Sequence, residues 1–107
     1  MADSPTTDPV LRRFRTAINA VYGDRIERVV LYGSRARGDA RPDSDYDVAL
    51  FLQNPTSFWK EMGPLSEIET DILYETGAVI SAKPFRAGAY RDQTPFMHEI
   101  RRDGLDL

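Results

Sequence analysis

Asp45 and Asp47 flank a single tyrosine at the head of an apolar run, Val48-Ala49-Leu50-Phe51-Leu52. Side chains alternate across an extended chain, so the two carboxylates share one face while Tyr46, Val48 and Leu50 take the other. Two carboxylates held that close repel each other, and a divalent cation relieves the repulsion. A set of only two acids suits magnesium, which keeps several waters and draws further oxygens from substrate phosphates. Upstream, the run Ile26 to Tyr32 stops abruptly at Gly33, as a strand feeding a tight turn does. Ser34 and Arg35 then open a short helix, whose unpaired N–H groups and positive dipole end favour an anion such as a triphosphate. Arg35 and Arg37 add cationic donors.

Two competing readings of these residues are weaker. Asp43, Asp45 and Asp47 have the spacing of the first three ligands of an EF-hand loop, but Val48 stands where that loop needs Gly and Asn54 where it needs Glu. Taken singly, Asp43-Ser44 reads as a turn, the two acids as a solvated strand start, and Gly33-Ser34 as an ordinary loop. Their combination at one spacing is what carries information.

The pattern Gly33-Ser34, ten residues, Asp45-Tyr46-Asp47 resembles the minimal nucleotidyltransferases of the DNA polymerase β-like superfamily. The fillings Ser34-Arg35-Ala36-Arg37-Gly38-Asp39 and Ser44-Asp45 are similar too, and the likeness is densest over Ile26 to Leu52. The resemblance implies transfer of a nucleoside monophosphate, AMP foremost, from a nucleoside triphosphate to an acceptor hydroxyl, with pyrophosphate leaving. It implies that Asp45 and Asp47 are catalytic and hold Mg²⁺. It also implies that Gly33, Ser34, Arg35, Arg37 and Ser44 line the nucleotide, with Ser34 on the β or γ phosphate. The family carries a third carboxylate on a later strand. The matching stretch here, Ala78 to Phe85, has no acid and offers only Ser81 or Lys83, while Asp71 and Glu75 precede it on a predicted helix. Small proteins of this kind often act as antitoxins paired with HEPN-domain ribonuclease toxins, some by adding AMP to a tyrosine, so the resemblance implies a helical HEPN-like partner.

Length and charge narrow the field. A chain of 107 residues fits one core, which gives a single nucleotidyltransferase domain over residues 8–107 behind a disordered stretch at 1–7. Hydrophobic residues make up 41% with no apolar stretch near 18 residues and no leader pattern, so membrane association is not expected and a cytoplasmic setting is. Cysteine is absent, which removes disulfides and thiolate metal sites. A net charge of −3 argues against nucleic acid as the main ligand. The Arg37-Gly38-Asp39 tripeptide has no secretion signal to support an adhesion role, and His98, the sole histidine, lacks neighbours for acid–base or metal work.

The elements that must position these residues can be read from caps and periodicity. Asp8 caps a helix with Pro9 in its first turn, and Val10, Phe14, Ala17, Ile18 and Val21 form its apolar stripe before Gly23. Arg12, Arg13 and Arg15 fall on a solvated face. Asn54-Pro55-Thr56 ends the strand that starts at the acids, and Trp59 packs into core or rim. Pro64 begins a second helix, with Leu65, Ile68, Ile72 and Leu73 inward, Glu67, Glu69 and Asp71 outward, and a stop at Gly77. A third strand spans 78–85, and Thr94-Pro95 starts a short last helix. The result is an α/β (α+β) domain: a small mixed sheet of three to four strands with helices packed on one face, the polymerase β-like arrangement, and the site on the open face.

Three activities from different classes fit this reading. One is AMP transfer to a partner protein. Another is a degenerate module that binds nucleotide or partner without chemistry, and the third is modification of a small molecule such as an antibiotic.

Overall fold

The computed structural model describes residues 7–107, so positions 1–6 of the expected disordered stretch lie outside the described residues. Helix α1 (Pro9–Tyr22) begins at Asp8, whose Oδ1 accepts from the N–H groups of Val10 and Leu11 at 2.8 and 3.3 Å. That satisfies two of the donors every helix start leaves open. A turn at Gly23–Arg25 leads into strand β1 (Ile26–Tyr32), then helix α2 (Ser34–Arg37) and strand β2 (Tyr46–Leu52). Helix α3 (Phe58–Thr76) and strand β3 (Ile80–Arg86) follow. A turn at Ala89–Arg91, helix α4 (Pro95–Asp103) and the two-residue strand β4 (Leu105–Asp106) complete the order.

The four strands form one mixed sheet in the order β3-β2-β1-β4, with β1 antiparallel to β2 and β4 and β2 parallel to β3. The parallel pair needs a crossover, which α3 supplies. Alternation along the strands sends Val29, Leu31, Val48, Leu50, Leu52, Ile80 and Ala82 to one face, against Leu11, Phe14 and Ile18 of α1 and Leu65, Ile68 and Ile72 of α3. The expected fold class, a small mixed sheet with a helical layer, is therefore present. The second face is less open than the sequence implied: Val30, Tyr32, Ala49 and Phe51 are covered by Ala89, Met97 and Ile100 from the last turn and α4. No helix among the described residues is long and apolar enough to cross a membrane.

Several local expectations are corrected. The buried stripe of α1 is Leu11, Phe14, Ile18 and Tyr22, with Val10 and Ala17 at its margin and Val21 exposed. Both sets have helical spacing, and the helix turns the bulkier one inward. Arg13 is not simply solvated, because its Nε and Nη2 donate to the Glu75 carboxylate at 2.9 and 3.1 Å and tie α1 to α3. Helix α3 starts at Phe58, not Pro64: Ser57 caps it, its Oγ accepting from the Lys60 N–H at 3.2 Å. Pro64 sits inside, leaving the Lys60 carbonyl without its ladder donor. Because Glu61 faces inward, two residues back Trp59 must face out, and it is 81% exposed, packed edge-on to Phe58 at 5.3 Å. Leu73 is also largely exposed. Glu61 is buried and paired with Arg25, while the Tyr22 hydroxyl donates to the Glu61 carbonyl at 3.1 Å. Glu69 is not on an outer face, since its Oε1 accepts from the Ala82 N–H of β3 at 3.0 Å.

Candidate active site

The end of β1 and the start of β2 meet at the two motifs. Tyr32 and Asp47 are opposite each other in the β1–β2 register, so the residue after Tyr32 necessarily lies beside Asp47. That residue is Gly33, at φ 74° and ψ −157°, and a Cβ there would stand 2.5 Å from Asp47 Oδ2. Glycine is required twice, by the left-handed φ and by the carboxylate pressed against its backbone. Asp47 lies on the strand, half-buried, while Asp45 is exposed and one residue before β2 begins, so the pair straddles the strand's mouth and does not sit wholly on it. Burial raises the Asp47 pKa, the Asp45 charge raises it further, and Lys83 and Arg37 oppose both. Two mutually repelling carboxylates, one of them open to solvent, form a donor set that fits a hard divalent cation taking its other oxygens from phosphate and water.

Helix α2 is a single turn. The N–H groups of Ala36 and Arg37 both reach the Gly33 carbonyl at 3.1 Å, which leaves those of Ser34 and Arg35 outside the helical ladder, beside the Gly33 turn. Gly38, in the left-handed region, closes the turn.

The arginines differ from one another. Arg35 clamps the loop: Nε and Nη2 donate to the Ser44 carbonyl at 3.0 and 2.9 Å, Nη2 also reaches the Pro42 carbonyl at 3.2 Å, and the guanidinium stacks 3.9 Å from the Tyr46 ring centroid. The Tyr46 hydroxyl donates to Asp8 Oδ2 at 2.9 Å, so the clamp runs on to the cap of α1. Ser44 works in the same loop, its Oγ accepting from the Arg41 N–H at 2.8 Å. In this arrangement Arg35 and Ser44 shape the loop between the motifs. Arg37 is exposed, its Nε 3.3 Å from Asp39 Oδ2, and its charge is felt by both Asp47 and Asp103.

Ser81 and Lys83, which the sequence offered at the place of a third carboxylate, do lie near Asp47, whereas sequence reasoning missed Tyr32, Phe96 and Glu99. The β2–β3 register puts Ser81 beside Asp47 and Lys83 beside Ala49, on the same face. Tyr32 is buried, with its pKa pushed up to about 12 by burial first and then by Asp47 and Glu99. Its ring meets Phe96 edge-on at 5.4 Å. The alternation of β3 would have placed Lys83 on this face once the strand was known to run parallel to β2. The approach of α4, which brings Phe96 and Glu99, has no such local signal. Among the described residues, no group of three or more His, Cys, Asp or Glu side chains is placed to hold a metal ion. His98 is exposed.

Known proteins match this chain along most of its length. A protein of Methanocaldococcus jannaschii named "Putative protein adenylyltransferase MJ0141" is 26% identical over 98 residues, covering 92% of this chain and 95% of the relative. A second protein of that organism, named "Putative protein adenylyltransferase MJ0604", is 28% identical over 75 residues, covering 70% and 69%. The fold is shared with a crystal structure titled as a "putative nucleotidyltransferase" from Sulfolobus solfataricus (TM-score 0.58, 17% identity, 98% of this chain and 87% of that one). It is also shared with a chain of a toxin–antitoxin crystal structure with AMP-PNP (TM-score 0.59, 12% identity, 87% and 68%). Residues 17–104 match the family model described as polymerase beta, nucleotidyltransferase, a span that includes both motifs and all four helices in whole or part, and on that match the chain belongs to the polymerase β nucleotidyltransferase family.

Proposed function

We propose that this nucleotidyltransferase moves AMP from ATP to a hydroxyl on a partner protein in a magnesium-dependent reaction. We propose further that it serves as the antitoxin to a HEPN-like helical toxin in the cytoplasm. The observation that carries the reading is the Asp47 carboxylate lying against the backbone of Gly33, which joins the acid pair and the Gly-Ser turn into one site. The protein target is supported by the names of the two M. jannaschii relatives, and the pairing by the toxin–antitoxin neighbour with its nucleotide analogue.

In the reaction the acceptor oxygen forms a bond to the α-phosphorus. The bond from that phosphorus to the bridging oxygen breaks, pyrophosphate departs with the electron pair, and the hydroxyl proton is lost to a base or to water. Asp45 and Asp47 would hold Mg²⁺, which when bound neutralises charge on the phosphates. The free N–H groups at Ser34 and Arg35 offer donors to phosphate oxygens. Arg37 supplies a solvent-facing cation, and Arg35 and Ser44 keep the loop in register. Asp45 opens to solvent, so an acceptor side chain can be presented from outside by another protein.

The first test is thermal unfolding with and without ATP and magnesium, for wild type and for the Asp45→Asn, Asp47→Asn double variant. Ligand at about 100 times its dissociation constant adds about 2.7 kcal/mol, which is a rise of several degrees. A magnesium-dependent rise confined to wild type is expected. Label from the α-phosphate of ATP should then appear on a co-expressed partner. Label on a small molecule would favour antibiotic-type chemistry, and a nucleotide-induced rise with no transfer to any acceptor would favour a binding module.

A further inference from the structure

Two cations act on Asp47, Arg37 from α2 and Lys83 from β3. Residues two apart on a strand share a face, so the one two beyond a direct neighbour lies diagonally across that face. Ser81 is the direct neighbour of Asp47, so Lys83 is that diagonal residue. Lys83 is exposed and makes no ion pair within 4 Å among the described residues. Its Nζ lies 5.5 Å from the Phe96 ring centroid. Phe96 meets Tyr32 edge-on, and Tyr32 is the partner of Asp47 on β1. The ammonium is thus kept on the acid side of the sheet by an aromatic face, at a distance from which its field acts on Asp47.

A site that carries two divalent ions holds them about 3.5–4 Å apart and needs anionic ligands to share between them. Here a second ion beside Asp47 would meet the Lys83 ammonium, and β3 offers it only Ser81 in place of a carboxylate. Among the described residues, no third acid joins the pair in a group able to hold a metal. We propose that Lys83 is a built-in second cation of this site, so that the nucleotide complex of this chain takes a single divalent ion. The inference rests on the nucleotidyltransferase reading above and deepens it.

The test counts ions rather than turnover. Mn²⁺ is titrated into the protein with saturating AMP-PNP, and free Mn²⁺ is followed by its electron paramagnetic resonance signal, subtracting a titration of the analogue alone. Wild type and the Lys83→Arg variant should bind one Mn²⁺ per chain. Lys83→Glu, which exchanges the cation for a carboxylate on the same exposed position, should bind two. Two ions on wild type, or one on a folded Lys83→Glu protein, would overturn the proposal while leaving the nucleotide site intact. No analogue-dependent Mn²⁺ binding to wild type would overturn the nucleotidyltransferase reading together with it. Should Lys83→Glu fail to fold, the wild-type count still decides, one ion supporting the proposal and two refuting it.

Discussion

Strand β2 separates two environments along its own length. Val48, Leu50 and Leu52 face α1 and α3 and are fully buried in a mostly aliphatic layer that also holds Phe14. Asp47, Ala49 and Phe51 face the other way, where the cover is aromatic, the packing stops at the strand's mouth, and charges gather. The first face binds the sheet to its helices, and the second sets Asp47, half-buried, at the edge of a packed surface. One register thus sets the acid on the face opposite α1 and α3, at the end of a second packed layer that holds Ala49 and Phe51.

Substitutions on opposite parities should separate cleanly. Leu50→Ala, on the helix side, should cost about 2–5 kcal/mol and lower Tm by roughly 10 °C or more, while the Tm rise produced by ATP and magnesium persists in the protein that remains folded. Gly33→Ala attacks the junction of the two environments. Its positive φ and its clash with Asp47 Oδ2 should together cost on the order of 1–3 kcal/mol and abolish the nucleotide-induced rise. Pairing it with Asp47→Ala should recover part of the stability, because the clashing atom is gone, and a cycle of the four proteins isolates that part. If the double variant is no more stable than additivity predicts, the close approach is not what makes glycine necessary.

A smaller effect tests whether the helix side tolerates a charge. Burial raises the Glu69 pKa above its unfolded value of 4.5, and the bond from the Ala82 N–H only partly offsets that. The folded state therefore holds the proton more tightly. The stability lent by this group is complete below pH 4.5 and is lost as pH rises through the raised folded value. Glu69→Gln keeps an acceptor for Ala82 and removes the charge. It should stabilise the protein at pH 7, with the gain closing near pH 4 in urea unfolding.

The parts that were legible from sequence have local causes. Asp8 with Pro9, the stop at Gly77, and the alternation of Val48 to Leu52 each follow from a few neighbouring residues, and all three were read correctly. The closeness of Gly33 and Asp47 also follows, since two antiparallel strands joined by a loop must bring their ends together. What was hidden depends on partners distant in sequence. The hold that Arg35 has on the loop is visible only once the carbonyls of Pro42 and Ser44 fold back onto it. Glu69 reads as solvated until β3 passes beneath it. Ser57 was overlooked as a helix start because Pro64 is the louder signal, and the outward turn of Trp59 depends on that start. The cover over the second face comes from α4, whose docking is set by Met97 and Ile100 meeting Val30 and Phe51 from the far end of the chain.

The order of strands also bears on how the molecule behaves in a crowd of its own copies. β3 forms one border of the sheet and carries Pro84, which has no N–H to offer, between the charged Lys83 and the arginine at its end, Arg86. Proline and lysine on a border strand discourage pairing with a neighbouring extended chain. On the opposite border β4 already caps Val30 and Leu31, and Asp106 accepts from Arg28 Nη1 at 3.1 Å. Among the described residues Pro84 interrupts one margin and β4 covers part of the other, so growth by strand addition, the route from a small sheet to a fibre, is hindered at both ends.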